Sequence, residues 1–450
     1  MLNDTIVALA TPSGTSSIFV LRMSGPRVFS ILSLVCKSKI NWDEVAGHTV
    51  HYAHFLDNAD TLDEVLISIF KAPHSYTGED VAEISGHGST YIASRMLEVL
   101  LNHARLAKPG EFTLRAFLNQ RMDLTEAEAV NDLIRSQTKM AHKSAMNQLE
   151  GSLYQKLEVL LKELTFYRKQ LELEIDFLDQ EQPEVDIVKL KTNLQGFRNQ
   201  LEELISTGRQ GKIIREGLKV VLTGEPNVGK SSIFNAFLKS ERAIVTPIPG
   251  TTRDFLEEAV SMDGYLVRFF DTAGLRVTTD HVEKIGIEKT YKIMQDADIV
   301  LYITDTIISR KEPPAKFHTL LSLAQVIPVF NKSDLFSPEE VRKMEEEGFI
   351  PCSTITDQGM FDLKEALLSE IRIADNGITS GLLTNTRHID ATGKALRGID
   401  QAIISLEDEM GFEFTAFDLK EASHALEEIV GIISTDDMLN QIFSEFCIGK

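Results

Sequence analysis

The 450-residue sequence contains few cysteines and no apolar run long enough to cross a membrane. Its three cysteines, Cys36, Cys352 and Cys447, lie far apart, which argues against a disulfide framework and a cysteine-rich metal cluster. The N-terminus has no basic region before an apolar segment, so a secretory signal is not predicted. Together these absences favour a protein of the reduced cytoplasm.

Basic residues are also in short supply, because 46 Lys and Arg stand against 67 Asp and Glu and give a net charge of −21. Such a surface attracts nucleic acid poorly unless a local basic patch or a partner supplies the phosphate contacts. Plain solubility is the simpler reason for this charge. The length corresponds to about three domains.

A phosphate-binding loop is the most informative pattern that the sequence does contain. Residues 224–231, Gly-Glu-Pro-Asn-Val-Gly-Lys-Ser, fit G-x-x-x-x-G-K-[ST] between a predicted strand at 218–223 and a predicted helix at 232–238. Gly224 and Gly229 allow the backbone N–H groups to turn toward a phosphate, and the helix start adds partial positive charge. Lys230 is expected to reach the outer phosphates, and Ser231 to bind Mg²⁺.

Three later segments complete a predicted GTP site. Asp271-Thr272-Ala273-Gly274 suits the Mg²⁺ and γ-phosphate, and Asn331-Lys332-Ser333-Asp334 supplies a carboxylate that can accept the two donors of guanine. A backbone N–H of Cys352-Ser353-Thr354 can meet the guanine O6. The predicted GTP contacts are Asn227, Val228, Gly229, Lys230, Ser231, Ser232, Thr246, Pro247, Ile248, Pro249, Gly250, Thr251, Thr252, Asp271, Thr272, Ala273, Gly274, Asn331, Lys332, Asp334 and Ser353.

Two further features concern the same predicted domain. Asp263-Gly264 between apolar runs predicts a hairpin, and hence one antiparallel edge strand in an otherwise parallel sheet. Leu275 stands where Ras-like GTPases usually place a water-orienting Gln, so another group must position water. Asn227 is either a K⁺ ligand, together with oxygens of Thr246, Ile248 and Thr251, or a residue that makes a simple loop hydrogen bond.

The rest of the chain changes character along its length. Residues 1–115 predict a mixed α/β region with strands at 6–10, 18–22, 51–56 and 65–70. Residues 124–210 predict long helices broken near Pro183, and helical character is expected to stop at Gly208 and Gly211. It resumes after Gly381 with helices at 388–409, 416–433 and 436–445. The predicted domains are 1–117, 118–215, 216–375 and 376–450, with the GTPase domain inserted into a helical domain.

Several segments outside the GTP motifs carry a family resemblance. They are Asp4–Ala8, Ala10–Pro12, Leu21–Gly25, Tyr76–Asp80, Gly86–Gly88, Pro109–Thr113, Arg115–Asn119, Asp123–Ala129 and Phe446–Lys450. With the GTP motifs, they make the chain resemble the MnmE (TrmE) family of tRNA-modifying GTPases over its whole length. The resemblance implies a multidomain α/β plus all-α fold. Its parts are an N-terminal α/β tetrahydrofolate-binding domain that dimerises, a discontinuous helical domain and an inserted Ras-like P-loop GTPase domain.

The resemblance also implies a function. A homodimer works with an FAD-dependent protein of the MnmG (GidA) family, in a heterotetramer or larger complex, to modify C5 of the wobble uridine of tRNA. A folate such as 5-formyltetrahydrofolate supplies a one-carbon unit, and an amine such as glycine or ammonium is added. K⁺-dependent pairing of the two GTPase domains drives GTP hydrolysis.

Residue roles follow from the resemblance in the same way. The K⁺ ligands are Asn227, Thr246, Ile248 and Thr251; the Mg²⁺ ligands are Ser231 and Thr252; the residue that orients water is Glu283; the folate contacts are Arg22, Glu79, Arg121 and Lys450; the reactive cysteine is Cys447. From the residues alone, Glu283 is better interpreted as a solvated helix carboxylate, and Cys447 as a small buried hydrophobe. The loop Ser13–Ser17 departs from the Gly/Arg-rich turn that the family commonly has, and Arg121 stands where Lys is frequent.

Two other functions remain open at this level. GTPases of ribosome assembly, such as the Era and Der families, share the phosphate loop and the Gly250–Asp254 segment but lack the Tyr76–Asp80 and Phe446–Lys450 segments. A pure GTP switch, without a part in tRNA chemistry, leaves the folate-type residues without a purpose.

Overall fold

The structure, a computed structural model, describes residues 4–176, 185–244, 257–271, 297–307, 324–372 and 381–450. The described chain divides into two compact units. The first comprises Met1–Asn131, Leu149–Thr165 and Ser423–Lys450, and the second comprises Asp132–Gln148 and Phe166–Ala422. The predicted division into four segments is finer than these two units and stays a prediction.

A mixed sheet forms the centre of the first unit. Its order is β3-β4-β5-β6-β2-β1-β7, antiparallel except where β7 runs parallel to β1. The strands are β1 Ile6–Leu9, β2 Ile18–Ser24, β3 Cys36–Lys37, β4 Thr49–Asp57, β5 Asp60–Phe70, β6 Val81–His87 and β7 Arg105–Leu106. All four strands predicted in this region are confirmed. Period-two alternation buries one face of β4 and β5, which accounts for the strand conformation.

Helices cover the buried face of this sheet. Val28, Ile31, Leu32 and Val35 repeat at helical spacing and join the same apolar core as Leu21 and Ile67. The helices of the N-terminal region are α1 Val28–Val35, α2 Thr90–Leu101 and α3 Glu111–Leu118.

The second unit contains a sheet of Ras-like topology, in the order β14-β13-β12-β8-β11-β10-β9. The strands are β8 Leu218–Gly224, β9 Arg242–Ile244, β10 Glu257–Met262, β11 Tyr265–Asp271, β12 Ile299–Thr304, β13 Gln325–Phe330 and β14 Ile350–Pro351. Continuous apolar runs such as Ile299–Thr304 are buried on both faces, as parallel strands between helix layers require. The flanking helices are α9 Lys230–Ser240, α10 Pro338–Glu346 and α11 Met360–Arg372.

The predicted hairpin is confirmed, because β10 and β11 pair antiparallel around Asp263 and Gly264. The prediction that its antiparallel strand lies at the sheet edge is wrong. Strand β9 pairs antiparallel with β10 and occupies the outer position among the described strands. Its three residues are too few to show the alternation on which a sequence-based strand prediction depends.

The long helices predicted on both sides of the GTPase domain are confirmed. They are α4 Leu124–Arg135, α5 Lys139–Leu149, α6 Ser152–Asp176, α7 Ile187–Ser206, α8 Gly208–Glu216, α12 Thr386–Glu407, α13 Phe412–Val430 and α14 Asp436–Ser444. None of the helices in the described part of the chain meets the length and apolarity of a membrane span.

The prediction that helical character stops at Gly208 and Gly211 is wrong, because both glycines lie in α8. A Cβ atom on Gly211 would lie 2.1 Å from the backbone oxygen of Leu383, and one on Gly208 would lie 2.8 Å from Ile389. These glycines therefore allow the helix to approach its neighbours closely. Tertiary packing outweighs the low helix propensity of glycine here.

Candidate functional site

The phosphate loop lies between β8 and α9, as predicted. Gly224 and Gly229 have φ values of 147° and 96°, and Asn227 has a φ of 66°. These left-handed conformations turn the chain sharply before α9 begins at Lys230. The loop thus ends at a helix N-terminus, where backbone N–H groups and the helix dipole favour a bound phosphate.

Lys230 is buried, and its ammonium group lies over the loop. Its Nζ donates hydrogen bonds to the backbone oxygens of Gly224 at 3.0 Å and Glu225 at 2.7 Å. Ser231 follows as the second residue of the helix, with an exposed side chain. A cation inside the loop and a hydroxyl at the helix start are the groups that a phosphate and its Mg²⁺ require.

Asn331 joins the phosphate loop to the segment predicted to recognise guanine. Its side-chain Nδ2 donates to the backbone oxygen of Val228 at 2.8 Å, and both residues are buried. Cys352 supplies a weaker contact, with its Sγ 3.6 Å from Asn331 Oδ1. Cys352 packs in the hydrophobic core, and burial raises the pKa of its thiol to about 12, which disfavours the reactive thiolate.

Lys332 makes a second connection to the loop. Its Nζ donates to the backbone oxygen of Asn227 at 2.9 Å and to Asp305 Oδ2 at 2.6 Å. The backbone of Lys332 has a φ of 58°, which starts a short 3₁₀ turn at Ser333–Leu335. This turn carries Asp334, whose side chain is exposed and accessible to a base.

Ser353 is fully buried beside this turn, and its groups are used within its own loop. Its backbone N–H donates to the oxygen of Gln358 at 2.9 Å, and its Oγ accepts from the backbone N–H groups of Ile355 and Thr356. Its role as a direct guanine contact stays a prediction.

Part of the predicted nucleotide site lies outside the described residues: Thr246, Pro247, Ile248, Pro249, Gly250, Thr251, Thr252, Thr272, Ala273, Gly274 and Glu283. Asp271 is the last residue of β11, in register with Leu222 of β8, but its side chain belongs to the same undescribed part. Within the described ranges, no group of three or more His, Cys, Asp or Glu is placed to hold a metal ion.

The first unit brings together two of the predicted folate contacts. Arg22 donates to Glu83 from Nε at 2.8 Å and to the backbone oxygen of Gly449 from Nη1 at 3.0 Å. Lys450 follows Gly449 directly, and its backbone oxygen accepts from the N–H of Phe112. Burial, and then the nearby charge of Arg22, lower the pKa of the Lys450 ammonium.

Glu79 is held in the same unit by side chains that sequence reasoning missed. Ser24 Oγ donates to its Oε2 at 2.7 Å, and Arg115 Nη1 lies 3.2 and 3.1 Å from its two oxygens. The motif that contains Arg115 marks the family but gives no signal of this contact, because the two residues are 36 positions apart.

Arg121 lines an open depression of about 440 Å³ together with His48, Phe70, His74, Ser75 and Tyr76. Tyr76 also contacts Arg22, because the Arg22 guanidinium lies 5.8 Å from the centre of the Tyr76 ring. Tyr76 therefore connects this depression to Arg22. Tyr76 is therefore a second functional candidate that sequence reasoning missed. Cys447 is exposed, and its backbone oxygen accepts from Gly110 and Lys450.

Comparison with known proteins agrees with these observations. A family model described as the MnmE helical domain matches residues 124–447, and one described as the N-terminus of the GTP-binding protein TrmE matches residues 5–121. A tRNA modification GTPase MnmE of Flavobacterium johnsoniae is 41% identical over 466 residues. This match covers 100% of this chain and 100% of the relative. The protein of the same name from Bacillus subtilis is 38% identical, covering 99% of this chain and 100% of its own.

Among solved structures, the G domain of the T. maritima FeoB iron transporter is 28% identical over 34% of this chain and 97% of its own. The TM-score of this match is 0.24. The two family models and the full-length relatives identify the family of this chain. They span both the N-terminal region and the helical domain with its inserted GTPase domain. The chain belongs to the MnmE (TrmE) family of tRNA modification GTPases.

Proposed function

We propose that this chain couples GTP hydrolysis to the modification of C5 of the wobble uridine in tRNA, using a one-carbon unit from a reduced folate. It acts as a cytoplasmic homodimer with an FAD-dependent protein of the MnmG (GidA) family. The observation that carries this proposal is the joint presence of a phosphate loop in one unit and the Arg22, Tyr76 and Lys450 group in the other.

In the GTPase domain, Ser231 and Thr252 would hold Mg²⁺, and Asn227, Thr246, Ile248 and Thr251 would hold K⁺. The conformation of Asn227 supports this assignment. Its backbone is left-handed, and its backbone oxygen accepts a hydrogen bond from Lys332, while its side chain is exposed. A cation held at this place would stabilise the negative charge that develops on the phosphates during hydrolysis. Glu283 would orient the attacking water, a role that Leu275 lacks the polar atoms to perform.

In the first unit, Glu79 would accept hydrogen bonds from the N–H edge of a pterin, while Arg22, Arg121 and Lys450 would attract the carboxylates of the folate tail. The side chains fit such a ligand because they combine one held carboxylate, three cations and the ring of Tyr76. The folate supplies the one-carbon unit when it is bound. Cys447 is exposed next to this group, which is compatible with a reactive role.

The negative charge of the chain supports the need for a partner. At a net charge of −21, the chain gains little from unspecific attraction to tRNA phosphates. A flavoprotein partner with a basic surface would supply the missing phosphate contacts. The homodimer would bring two GTPase domains close enough to pair.

Calorimetric titration with 5-formyltetrahydrofolate tests the proposal, with R22A and E79A as variants and K230A as a matched control. The wild-type protein is expected to bind saturably, R22A and E79A to lose this binding, and K230A to keep it, because Lys230 belongs to the phosphate loop. An absence of binding by the wild-type protein would contradict the folate function and favour a GTP switch.

A further inference from the structure

Glu79 belongs to a network of charged side chains. The centre of this network is Arg115, which is only 1% exposed. Arg115 Nη1 donates to both oxygens of Glu79 and to the backbone oxygen of Asp4 at 2.8 Å. Its Nη2 donates to Asp4 Oδ1 at 2.7 Å and to Glu111 Oε1 at 3.0 Å. One guanidinium thus connects three carboxylates from distant parts of the sequence.

Arg105 is the second cation of this network. Its Nη2 and Nη1 donate to Glu111 at 2.6 and 3.0 Å, and its Nε donates to Asp4 at 2.8 Å. Burial opposes the charge of Glu111, but hydrogen bonds from Arg105, the Lys108 backbone and Arg115 outweigh it and lower its pKa. Arg105 and Arg115 therefore share the same acidic neighbours, yet only Arg115 contacts Glu79.

We propose that Arg115 is a positioning residue for ligand binding: it holds Glu79 in a fixed orientation as an acceptor for the N–H edge of a folate. This inference rests on the proposed folate function. Ser24 and Arg115 fix Glu79 before a ligand arrives, so the ligand does not have to order the side chain on binding. A lysine cannot replace this arrangement, because a single ammonium lacks the planar fork that reaches all three carboxylates.

A merely structural role for Arg115 would tie α3 to the Asp4 segment. One observation argues for more than this. Among the residues that the structure describes, Arg115 Nε is buried and has no hydrogen-bond partner. The guanidinium thus leaves its Nε donor without a hydrogen bond, while both Nη groups donate to acidic residues, including Glu79. Such a local cost is typical of positions where binding geometry outweighs stability.

The test compares R115K with R105K, which makes the same substitution in the same network without touching Glu79. Affinity for 5-formyltetrahydrofolate is measured by calorimetry, and folding by thermal unfolding. R115K is expected to raise the Kd at least about tenfold, and R105K less than about twofold. In a double-mutant cycle, R115K should add no more than about twofold to the effect of E79Q, because it acts through Glu79.

A folded R115K protein that binds folate like the wild type would overturn the inference, and so would effects of E79Q and R115K that multiply. If R115K does not fold, E111Q/R115Q removes the buried cation together with a buried carboxylate, so that less uncompensated charge remains inside. This variant is also expected to lose at least about tenfold in folate affinity, and normal affinity in it would overturn the inference. Failure of the wild-type protein to bind folate would instead contradict the proposed function itself.

Discussion

Replacement of Gly229 by alanine is expected to damage the phosphate loop and the guanine-recognition segment at once. The added Cβ would lie 2.1 Å from Nδ2 of Asn331, far inside van der Waals contact. Asn331 must then move away from the backbone oxygen of Val228, to which it donates at 2.8 Å. The backbone is strained as well, because Gly229 has a φ of 96°, a conformation that alanine rarely adopts.

The magnitude follows from these two contributions. The left-handed backbone costs alanine about 1–2 kcal/mol, and loss of a buried hydrogen bond costs about 1–3 kcal/mol. If the loop escapes this strain by leaving its binding conformation, nucleotide affinity falls by about 2–5 kcal/mol, which is roughly 30-fold to 4,000-fold. The affinity is measured by fluorescence titration with N-methylanthraniloyl-GDP.

The control is the double variant G229A/N331A, compared with N331A alone. Without the Asn331 side chain the steric overlap is gone, so the second substitution should add only the backbone cost, roughly 5-fold to 30-fold. Two results would refute the reasoning: a G229A protein that binds the probe within about threefold of the wild type, or an equal cost of G229A in both backgrounds.

Three other predictions concern separate parts of the molecule. D334N should change the binding preference of the protein from guanosine to xanthosine nucleotides, because an amide N–H can donate to the C2 oxygen of xanthine. Competition titration with GDP and XDP measures this preference. An unchanged preference would show that Asp334 does not recognise the base. The hydrogen bond to Asp63 raises the pKa of His87, so this pair stabilises the fold below pH ~6.5 and loses the effect as pH rises through the raised value. D63N should therefore lower the urea midpoint more at pH 5.5 than at pH 8.5, and an equal loss at both would contradict the assignment. G196A in α7 meets nothing within 4 Å and should stabilise the protein by about 0.5–1 kcal/mol, whereas a lower melting temperature would indicate an unrecognised role for this glycine.

Local patterns predict the parts of the fold whose physics is local. The strand Leu218–Gly224, the turn at Asp263-Gly264 and the start of α9 depend on neighbouring residues, so the sequence indicates each of them correctly. The same holds for Lys230, whose position is fixed by the loop that precedes it. In these segments, burial pattern and turn chemistry agree with the tertiary structure.

Features that depend on distant contacts could not be predicted in this way. Gly211 resembles a helix stop until Leu383 is seen to pack against it. Arg115 resembles a surface charge in a helix until Asp4 and Glu79 are seen beside it. In each case the environment comes from segments that are far away in the chain, and no local pattern records it.

The most direct test of the central claim is mass spectrometry of nucleosides from tRNA. The tRNA is incubated with this protein, an FAD-dependent partner of the MnmG family, GTP, K⁺, glycine and a reduced folate carrying a ¹³C one-carbon unit. We expect a GTP-dependent modified wobble uridine that carries ¹³C in its C5 substituent, and none when K230A replaces the wild-type protein. Unmodified uridine in the complete mixture, or a modified uridine without ¹³C, would contradict the coupling of folate chemistry to GTP hydrolysis in this chain.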